Sequence, residues 1–136
     1  MRRVGCLKME IKIKKIEQYY HNSEKGNSFL VNNEGKPDIS ILKRNKGTVS
    51  GHHYHTGKSK SKNPETFVLL SGKIELYVED IKTKESETII IEENTQFEIP
   101  PYIYHEVKAL TNFVALEFNV DNEDNKNDVV KGKELQ

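Results

Sequence analysis

The sequence predicts an all-β domain, a sandwich or a closed barrel of about ten short strands with little helix. Short apolar runs recur along the chain, and clusters of Gly, Pro, Asn and Ser, which are turn residues, separate them. The sequence lacks a long stretch with the 3.6-residue periodicity of an amphipathic helix. Alternation is clearest between Lys73 and Glu79, where Ile74, Leu76 and Val78 take every second position.

The expected strands follow one another at close spacing. They lie at 11–16, 28–31, 39–43, 48–55, 66–70, 73–79, 87–91, 96–99, 105–110 and 113–120. Asn94 and the pair Pro100-Pro101 mark two of the turns between them. Ser71 and Gly72 separate two strands directly and predict a hairpin turn.

Composition limits the class of protein. The chain of 136 residues suits one domain with one closed core. Its 21 basic residues balance 21 acidic ones, so net charge gives no field that would recruit nucleic acid or an anionic membrane. Cys6 is the only cysteine, which excludes an internal disulfide, and no apolar run reaches the roughly 18 residues of a spanning helix. We expect a cytoplasmic protein whose partner is a small molecule or a second copy of itself.

Three segments are expected along the chain. Residues 1–8 form a flexible leader, 9–120 form the domain, and 121–136 form a charged, disordered tail with few apolar anchors. The polar and basic run from Lys58 to Asn63 is expected to be an exposed loop. It is either simply solvated or a flap that brings positive charge to the mouth of a site.

The histidines are clustered. Gly51 is followed by His52, His53, Tyr54 and His55. Residues two apart in a strand point to the same face, so His53 and His55 project together while His52 and Tyr54 lie on the other face. Two imidazoles on one strand are half of a metal site, and neighbouring strands must supply the remaining ligands.

These histidines are part of a longer pattern. Gly47, five residues, His53-Tyr54-His55, then Glu65, six residues and Gly72 stand in order. The pattern resembles the first motif of the cupin family in every fixed element. It departs from the family in the spacer, because the nine residues between His55 and Glu65 are more than the family usually has. The extra residues are the loop from Lys58 to Asn63.

A second pattern resembles the second cupin motif. Asn94, five residues, Pro100-Pro101-Tyr102, two residues, His105, three residues and Ala109 follow in order. The proline and the histidine match, whereas Asn94, Tyr102 and Ala109 replace two glycines and an asparagine. Asn94 tolerates the left-handed conformation that a turn glycine adopts, but Tyr102 does so less readily.

The resemblance covers about 47–109 and implies a cupin jelly-roll β-barrel, also called a double-stranded β-helix. It implies that His53, His55, Glu65 and His105 hold one divalent metal ion. Such a nitrogen and oxygen ligand set suits Fe, Mn, Ni, Co, Zn or Cu.

The implied activity is that of an isomerase or epimerase acting on a sugar, sugar phosphate or sugar nucleotide. The region around Tyr102 and His105 is similar to that of archaeal cupin phosphoglucose isomerases. Tyr102 and Tyr104 are therefore candidate substrate contacts. Glu117 is a candidate base if it faces inward, although Val114, Leu116, Phe118 and Val120 form the better apolar face and would turn it outward.

Several alternatives remain open. The same ligand set resembles that of non-haem iron dioxygenase cupins, and a sugar- or metal-binding module without turnover is a further alternative. In a metal-free variant of the isomerase, similar to the ketoisomerases of nucleotide-linked sugars, His53 or His55 would act as acid and base. We expect a homodimer, with the first strand as an edge available for exchange.

Overall fold

The computed structural model describes residues 9–22, 24–120 and 127–135, together with the side chains of all of these except 18–22. The strands are β1 (Lys12–Lys15), β2 (Glu17–Asn22), β3 (Gly26–Leu30), β4 (Asp38–Arg44), β5 (Val49–Tyr54), β6 (Glu65–Ser71), β7 (Lys73–Asp80), β8 (Ser86–Glu92), β9 (Thr95–Ile99), β10 (Ile103–Ala109), β11 (Phe113–Asn119) and β12 (Val130–Lys131). A 3-10 turn, Lys60–Lys62, precedes β6. The predicted leader, 1–8, lies outside the described residues, as does 121–126 of the predicted tail.

Two antiparallel five-stranded sheets face each other. Sheet I has the order β1-β9-β6-β11-β4 and sheet II the order β12-β5-β10-β7-β8, while β2 and β3 form a separate hairpin. This architecture confirms the predicted all-β jelly roll. The expected homodimer stays a prediction. β1 lies at the edge of sheet I, where a strand of a second chain could pair with it. Among the described residues, no helix is long and apolar enough to cross a membrane.

The core lies between the two sheets. Alternate residues of each strand point inward, which explains the alternation seen in β7. The buried side chains of this main cluster come from both sheets and include Phe67, Leu69, Leu76, Phe97 and Phe113. Phe67 and Phe97 stack with their ring centroids 5.0 Å apart.

The outer face of sheet I is also partly apolar. Val68 and Phe118 point away from the main core, yet they are buried because Ile16 packs on them. Sheet I therefore buries side chains on both faces near β6 and β11. Its strands cannot be oriented from hydrophobic alternation alone.

The predicted hairpin at Ser71 and Gly72 is wrong. β6 belongs to sheet I and β7 to sheet II, so the chain turns a corner between the sheets here. Gly72 has φ +92°, and a Cβ at this position would lie 2.4 Å from the carbonyl oxygen of Asn112. Glycine is required because the corner is both left-handed and crowded.

Part of the predicted tail packs on the domain. β12 pairs with β5, with Val130 opposite Tyr54 and Lys131 opposite His53. Asp128 is buried. The tail has few apolar residues, and polar contacts with backbone groups take their place as anchors.

Candidate active site

A cavity of about 220 Å³ opens between the inner faces of the two sheets. Its lining includes all the predicted metal ligands, together with Lys62 and Glu117. A larger groove of about 610 Å³ lies between β1 and β8, but no histidine is among its described lining residues. The smaller cavity holds the chemically active groups, and we take it as the candidate site.

Three imidazoles converge at one end of this cavity. The ring centroid of His53 lies 4.7 Å from that of His55 and 4.8 Å from that of His105. His53 lies opposite His105 across β5 and β10, where the register shifts. His52, with φ +60°, is the extra residue of this bulge. Glycine is required beside it at position 51, where φ is +100° and a Cβ would lie 2.6 Å from the carbonyl oxygen of His105. The predicted shared face of His53 and His55 is present.

The carboxylate of Glu65 joins these rings from the opposite sheet. Its Oε1 lies 3.2 Å from Nε2 of His55 and 3.3 Å from Nε2 of His105. Burial alone would raise the pKa of Glu65, but the two imidazoles and Lys62 outweigh it and hold that pKa far below its usual range. The structure thus brings all four predicted ligands together, while metal binding itself stays a prediction.

Two of the histidines are fixed in one tautomer by backbone carbonyls. Nδ1 of His55 donates to the carbonyl oxygen of Asp128, and Nδ1 of His105 donates to that of Ile103 at 3.0 Å. A carbonyl oxygen can only accept, so in its neutral form each ring directs the lone pair of Nε2 at Glu65 Oε1. Both His55 Nε2 and Glu65 Oε1 are buried and lack a hydrogen-bond partner within the described chain. Three acceptors meeting without a donor require protons or a cation between them. Burial opposes protonation of His55, but Glu65 outweighs burial and raises the pKa of that ring, so a proton on Nε2 is one way to supply the missing donor.

This arrangement of acceptors fits a metal ion. Two ligand atoms that each lie about 2.1 Å from one ion are about 3.0 to 3.4 Å apart at tetrahedral or octahedral angles. The separations of 3.2 and 3.3 Å fall in that range. Ligating histidines usually donate their second ring N–H to a carbonyl or carboxylate, as His55 and His105 do.

Lys62 enters the cavity from the inserted loop. Its Nζ lies 2.7 Å from Oε2 of Glu117 and 3.5 Å from Oε2 of Glu65. The loop is not the fully exposed segment expected, because Ser59 and Ser61 are buried. The hydroxyl of Ser61 accepts from the backbone N–H of Val120, while Ser59 accepts from the N–H of Ser61. The loop folds inward since its serines satisfy backbone groups that burial would otherwise leave unpaired.

Glu117 faces the cavity, opposite to the orientation that its apolar neighbours suggested. Val114, Leu116 and Phe118 do lie on one face of β11, but this is the outer face that Ile16 covers. Burial raises the pKa of Glu117, and the nearby charge of Glu65 adds to the effect, although Lys62 opposes it. Burial would lower the pKa of Lys62, but the two carboxylates outweigh this and raise it, so Lys62 stays an ammonium ion.

Solved structures with this architecture were compared with the chain. It superposes on a dTDP-4-dehydrorhamnose 3,5-epimerase from Sulfolobus tokodaii with a TM-score of 0.72 and 18% identity, covering 92% of this chain and 78% of the epimerase. It also superposes on a sugar 3,4-ketoisomerase from Thermoanaerobacterium thermosaccharolyticum in complex with TDP, with a TM-score of 0.71, 15% identity and coverages of 90% and 88%. A mutant of that ketoisomerase, in complex with TDP-4-keto-6-deoxyglucose, matches with a TM-score of 0.69, 14% identity and coverages of 90% and 87%.

The fold is that of a jelly-roll cupin. At these identities the likeness establishes the fold and leaves the activity open. No protein-family model and no curated protein matches the sequence.

The two predicted tyrosines lie elsewhere in this cupin barrel. Neither Tyr102 nor Tyr104 is among the described residues that line the cavity. Both belong to an aromatic cluster on the outer face of sheet II, where they pack with Tyr54. The Tyr104 hydroxyl donates to Glu106 Oε2 at 2.5 Å. Burial and this carboxylate raise its pKa, which makes it a poor proton donor. Their role as substrate contacts finds no support in this geometry.

Tyr102 nevertheless adopts the conformation of the glycine that it replaces. Its φ is +61°, as is that of Asn94. Its ring centroid lies 5.7 Å from that of Tyr54, and Lys82 Nζ lies 4.4 Å above its ring. These contacts offset the cost of a left-handed residue with a Cβ, about 1 to 2 kcal/mol.

Sequence reasoning did not name Lys62 or Asp128 as site residues, although it considered that the loop from Lys58 to Asn63 brings positive charge to the mouth of a site. Lys62 lies three positions before Glu65, at the start of a strand. This spacing of opposite charges was the one signal in the sequence that could have placed Lys62 beside Glu65. For Asp128 no such signal exists, since its contacts are with backbone groups of a distant loop.

Proposed function

We propose that this protein is an isomerase or epimerase that acts on the keto sugar of a sugar nucleotide. The observation that carries the proposal is the cavity itself, which places a neutral imidazole, a buried ammonium ion and two carboxylates within reach of one small ligand. Its fold, shared with a sugar-nucleotide epimerase and a ketoisomerase, supports the substrate class.

His53 is the candidate base. Burial, together with the neighbouring His105 and His55, lowers its pKa to about 4, so its ring is neutral at physiological pH and able to accept a proton. The rings of His55 and His105 are tied through Nδ1 to backbone carbonyls. Proton transfer in the cavity is therefore assigned to His53.

Lys62 is the candidate electrostatic partner of that base. When His53 removes a proton from the carbon beside the sugar carbonyl, the C–H electron pair moves towards the carbonyl oxygen and forms an enolate. The ammonium of Lys62 can stabilise this oxygen, since positive charge in a partly dry cavity acts strongly on developing negative charge. Glu117 and Glu65 hold Lys62 in place.

The proton then returns to carbon. In an epimerase a second acid must deliver a proton to the same carbon from the opposite face, a role for which Glu117, whose pKa burial raises, is the candidate; His53 then loses its proton to solvent and Glu117 regains one from it. In a ketoisomerase the proton of the neighbouring hydroxyl passes to the enolate oxygen, which becomes the new hydroxyl. His53 then returns its proton to the former carbonyl carbon, and the neighbouring carbon becomes the new carbonyl. Both routes conserve atoms and electrons and need no external oxidant.

We further propose that His53, His55, His105 and Glu65 bind one divalent metal ion. The convergence of unpartnered acceptors described above supports this. When bound, the ion would polarise a carbonyl and stabilise the enolate oxygen. His53 would then be a ligand, and the proton would pass to Glu117, whose pKa is raised by burial and by the charge of Glu65, which makes it a stronger base than an exposed carboxylate.

Solvent exchange tests the proposed activity. Incubation with TDP-4-keto-6-deoxyglucose in D₂O should place deuterium on a carbon beside the carbonyl, measured by mass spectrometry and NMR against a protein-free control. Lys62→Met should slow exchange about 10²- to 10³-fold, because it removes the charge that stabilises the enolate. Lys60→Ala, at an exposed position of the same 3-10 turn, is the matched control and should leave the rate unchanged.

Other outcomes identify the other functions. Oxygen consumption with cleavage of the substrate would indicate an iron dioxygenase. Ligand-dependent thermal stabilisation with neither exchange nor product would indicate a binding module. Either result would refute the isomerase proposal for this substrate.

Elemental analysis tests the metal. Protein reconstituted with divalent ions and then desalted should carry about one ion per chain, and His105→Ala should lower the affinity at least about 100-fold. His52→Ala is the matched control, because the side chain of His52 is 57% exposed and lies outside the cavity. Exchange activity without a bound ion would instead select the metal-free mechanism with His53 as base.

A further inference from the structure

Residues 127–135, here called the C-terminal strap, connect the outer face of sheet II to the candidate site. The strap adds β12 to the edge of sheet II, where Val130 pairs with Tyr54 and Lys131 pairs with His53 of β5. The strap thus reaches the site along the edge of sheet II that β5 would otherwise form.

The strap is anchored on the outer face of sheet II. Val130 packs on the cluster of Tyr54, Ile81 and Tyr104. The Tyr54 hydroxyl donates to the carbonyl oxygen of Glu134 at 2.6 Å. Lys133 forms an ion pair with Glu79 at 3.0 Å, and its Nζ lies 5.0 Å from the centroid of the Tyr104 ring. These contacts give a short polar segment a fixed position.

Asp128 carries the strap to the edge of the site. One carboxylate oxygen accepts from the N–H and the hydroxyl of Thr56 at 2.6 and 2.8 Å. The other accepts from the N–H of Gly57 at 3.1 Å and from that of Ser59 at 2.9 Å. The side chain is only 3% exposed, so these four hydrogen bonds fix the beginning of the loop that carries Lys62.

The backbone of the same residue contacts a site histidine. The carbonyl oxygen of Asp128 accepts from Nδ1 of His55. His105 has an equivalent acceptor, but that acceptor is the carbonyl of Ile103 in its own strand. The orientation of His55 therefore depends on a segment 73 residues away in the sequence.

We propose that the C-terminal strap is a positioning element of the site, in which Asp128 holds His55 as the Nδ1–H tautomer and fixes the loop that delivers Lys62. In this tautomer the lone pair of Nε2 points into the cavity, whatever occupies it. The inference rests on the site geometry and not on the proposed reaction.

The tautomer can be read directly by NMR. Long-range ¹H–¹⁵N spectra of the metal-free full chain, recorded at alkaline pH, should show His55 with a protonated Nδ1 and an unprotonated Nε2. In Asp128→Ala the loop loses four hydrogen bonds and the carbonyl shifts, so the two ¹⁵N signals of His55 should move towards each other as the tautomers mix. The His105 signals should stay in place, which makes His105 an internal control.

Two further variants keep the experiment decisive. Asp128→Asn is the milder variant and replaces Asp128→Ala if the latter fails to fold. Its amide oxygen still accepts from Thr56, but its NH₂ group faces the N–H donors of Gly57 and Ser59, so the ¹⁵N signals of His55 should move part of the way towards each other. Lys131→Ala, at an exposed position of the strap, should leave His55 unchanged. Unchanged His55 signals in Asp128→Ala or Asp128→Asn, or equal changes at His105, would overturn the proposal.

Discussion

Replacing Lys62 by methionine keeps most of the volume of the side chain but removes the one ammonium ion that two cavity carboxylates share among the described residues. Nζ lies 2.7 Å from Glu117 and 3.5 Å from Glu65, and the Lys62 side chain is 11% exposed. At an effective dielectric constant of about 20, the two attractions are about 6 and 5 kcal/mol before desolvation is subtracted. Removal of one partner from such a buried network costs about 3 to 5 kcal/mol. We expect about 3 kcal/mol, because the pair retains some contact with solvent.

Urea unfolding of the metal-free protein at neutral pH measures this cost. With a slope of about 1.5 kcal/mol/M, the midpoint should fall by about 2 M. The cost should shrink as the pH is lowered, since the raised pKa of Glu117 allows its carboxylate to be neutralised by a proton. Lys60→Met, in the same turn but exposed, should change the free energy of unfolding by less than about 0.5 kcal/mol.

A double-mutant cycle separates coupling from the loss of packing. The double variant with Glu117→Gln should be more stable than the sum of the single effects predicts, by about 1 to 3 kcal/mol. A free energy of unfolding for Lys62→Met within about 0.5 kcal/mol of the wild type, or strictly additive effects, would refute the assignment of these groups to one charge network.

Two other predictions concern the corner glycine and the candidate base. Gly72→Ala should destabilise the protein by about 2 to 4 kcal/mol in the same urea assay, because the new Cβ would clash with the carbonyl oxygen of Asn112 at a left-handed φ. Gly35→Ala is the control and should cost only about 1 kcal/mol, since Gly35 has φ +71° but no atom within 4 Å of the new Cβ. Equal costs for the two variants would contradict this account. His53 has a folded pKa of about 4 against 6.5 in the unfolded chain, so the folded state binds fewer protons and stability falls as the pH drops from 6.5 to 4. This difference in the pKa of His53 corresponds to about 3 kcal/mol, which solvent screening at this partly exposed ring reduces to about 1 to 2 kcal/mol. His53→Gln should flatten this part of the stability profile by that amount, whereas an identical slope would show that His53 does not titrate in this range.

Local spacing was sufficient to predict one half of the candidate site. The period of two along a strand places His53 and His55 on one face, and the structure shows their rings together. The resemblance to two cupin motifs added Glu65 and His105, which lie against them. The inserted loop between His55 and Glu65 does not disturb this arrangement, because it forms a 3-10 turn of its own and leaves β5 and β6 in their sheets.

The direction in which Glu117 points could not be read in the same way. Alternation shows which residues share a face, but it does not show which face lines the cavity when both are covered. On β11 the more apolar face is the outer one, because Ile16 packs on it. The turn at Ser71 and Gly72 could not be classified from the sequence for a similar reason. The same residue types form hairpin turns within one sheet and corners that lead from one sheet to the other, as here.

The all-β class, the strand periodicity and the shared face of His53 and His55 follow from the sequence, because they depend on local geometry and on spacing along the chain. The resemblance to the cupin motifs supplied Glu65 and His105. Only the folded chain shows that Lys62 enters the cavity and that Glu117 faces it. The contact between His55 and the carbonyl oxygen of Asp128 also appears only there. The physical reason is the same in each case: the contacts join groups that are distant in sequence and are stabilised by burial, and burial is a property of the assembled fold.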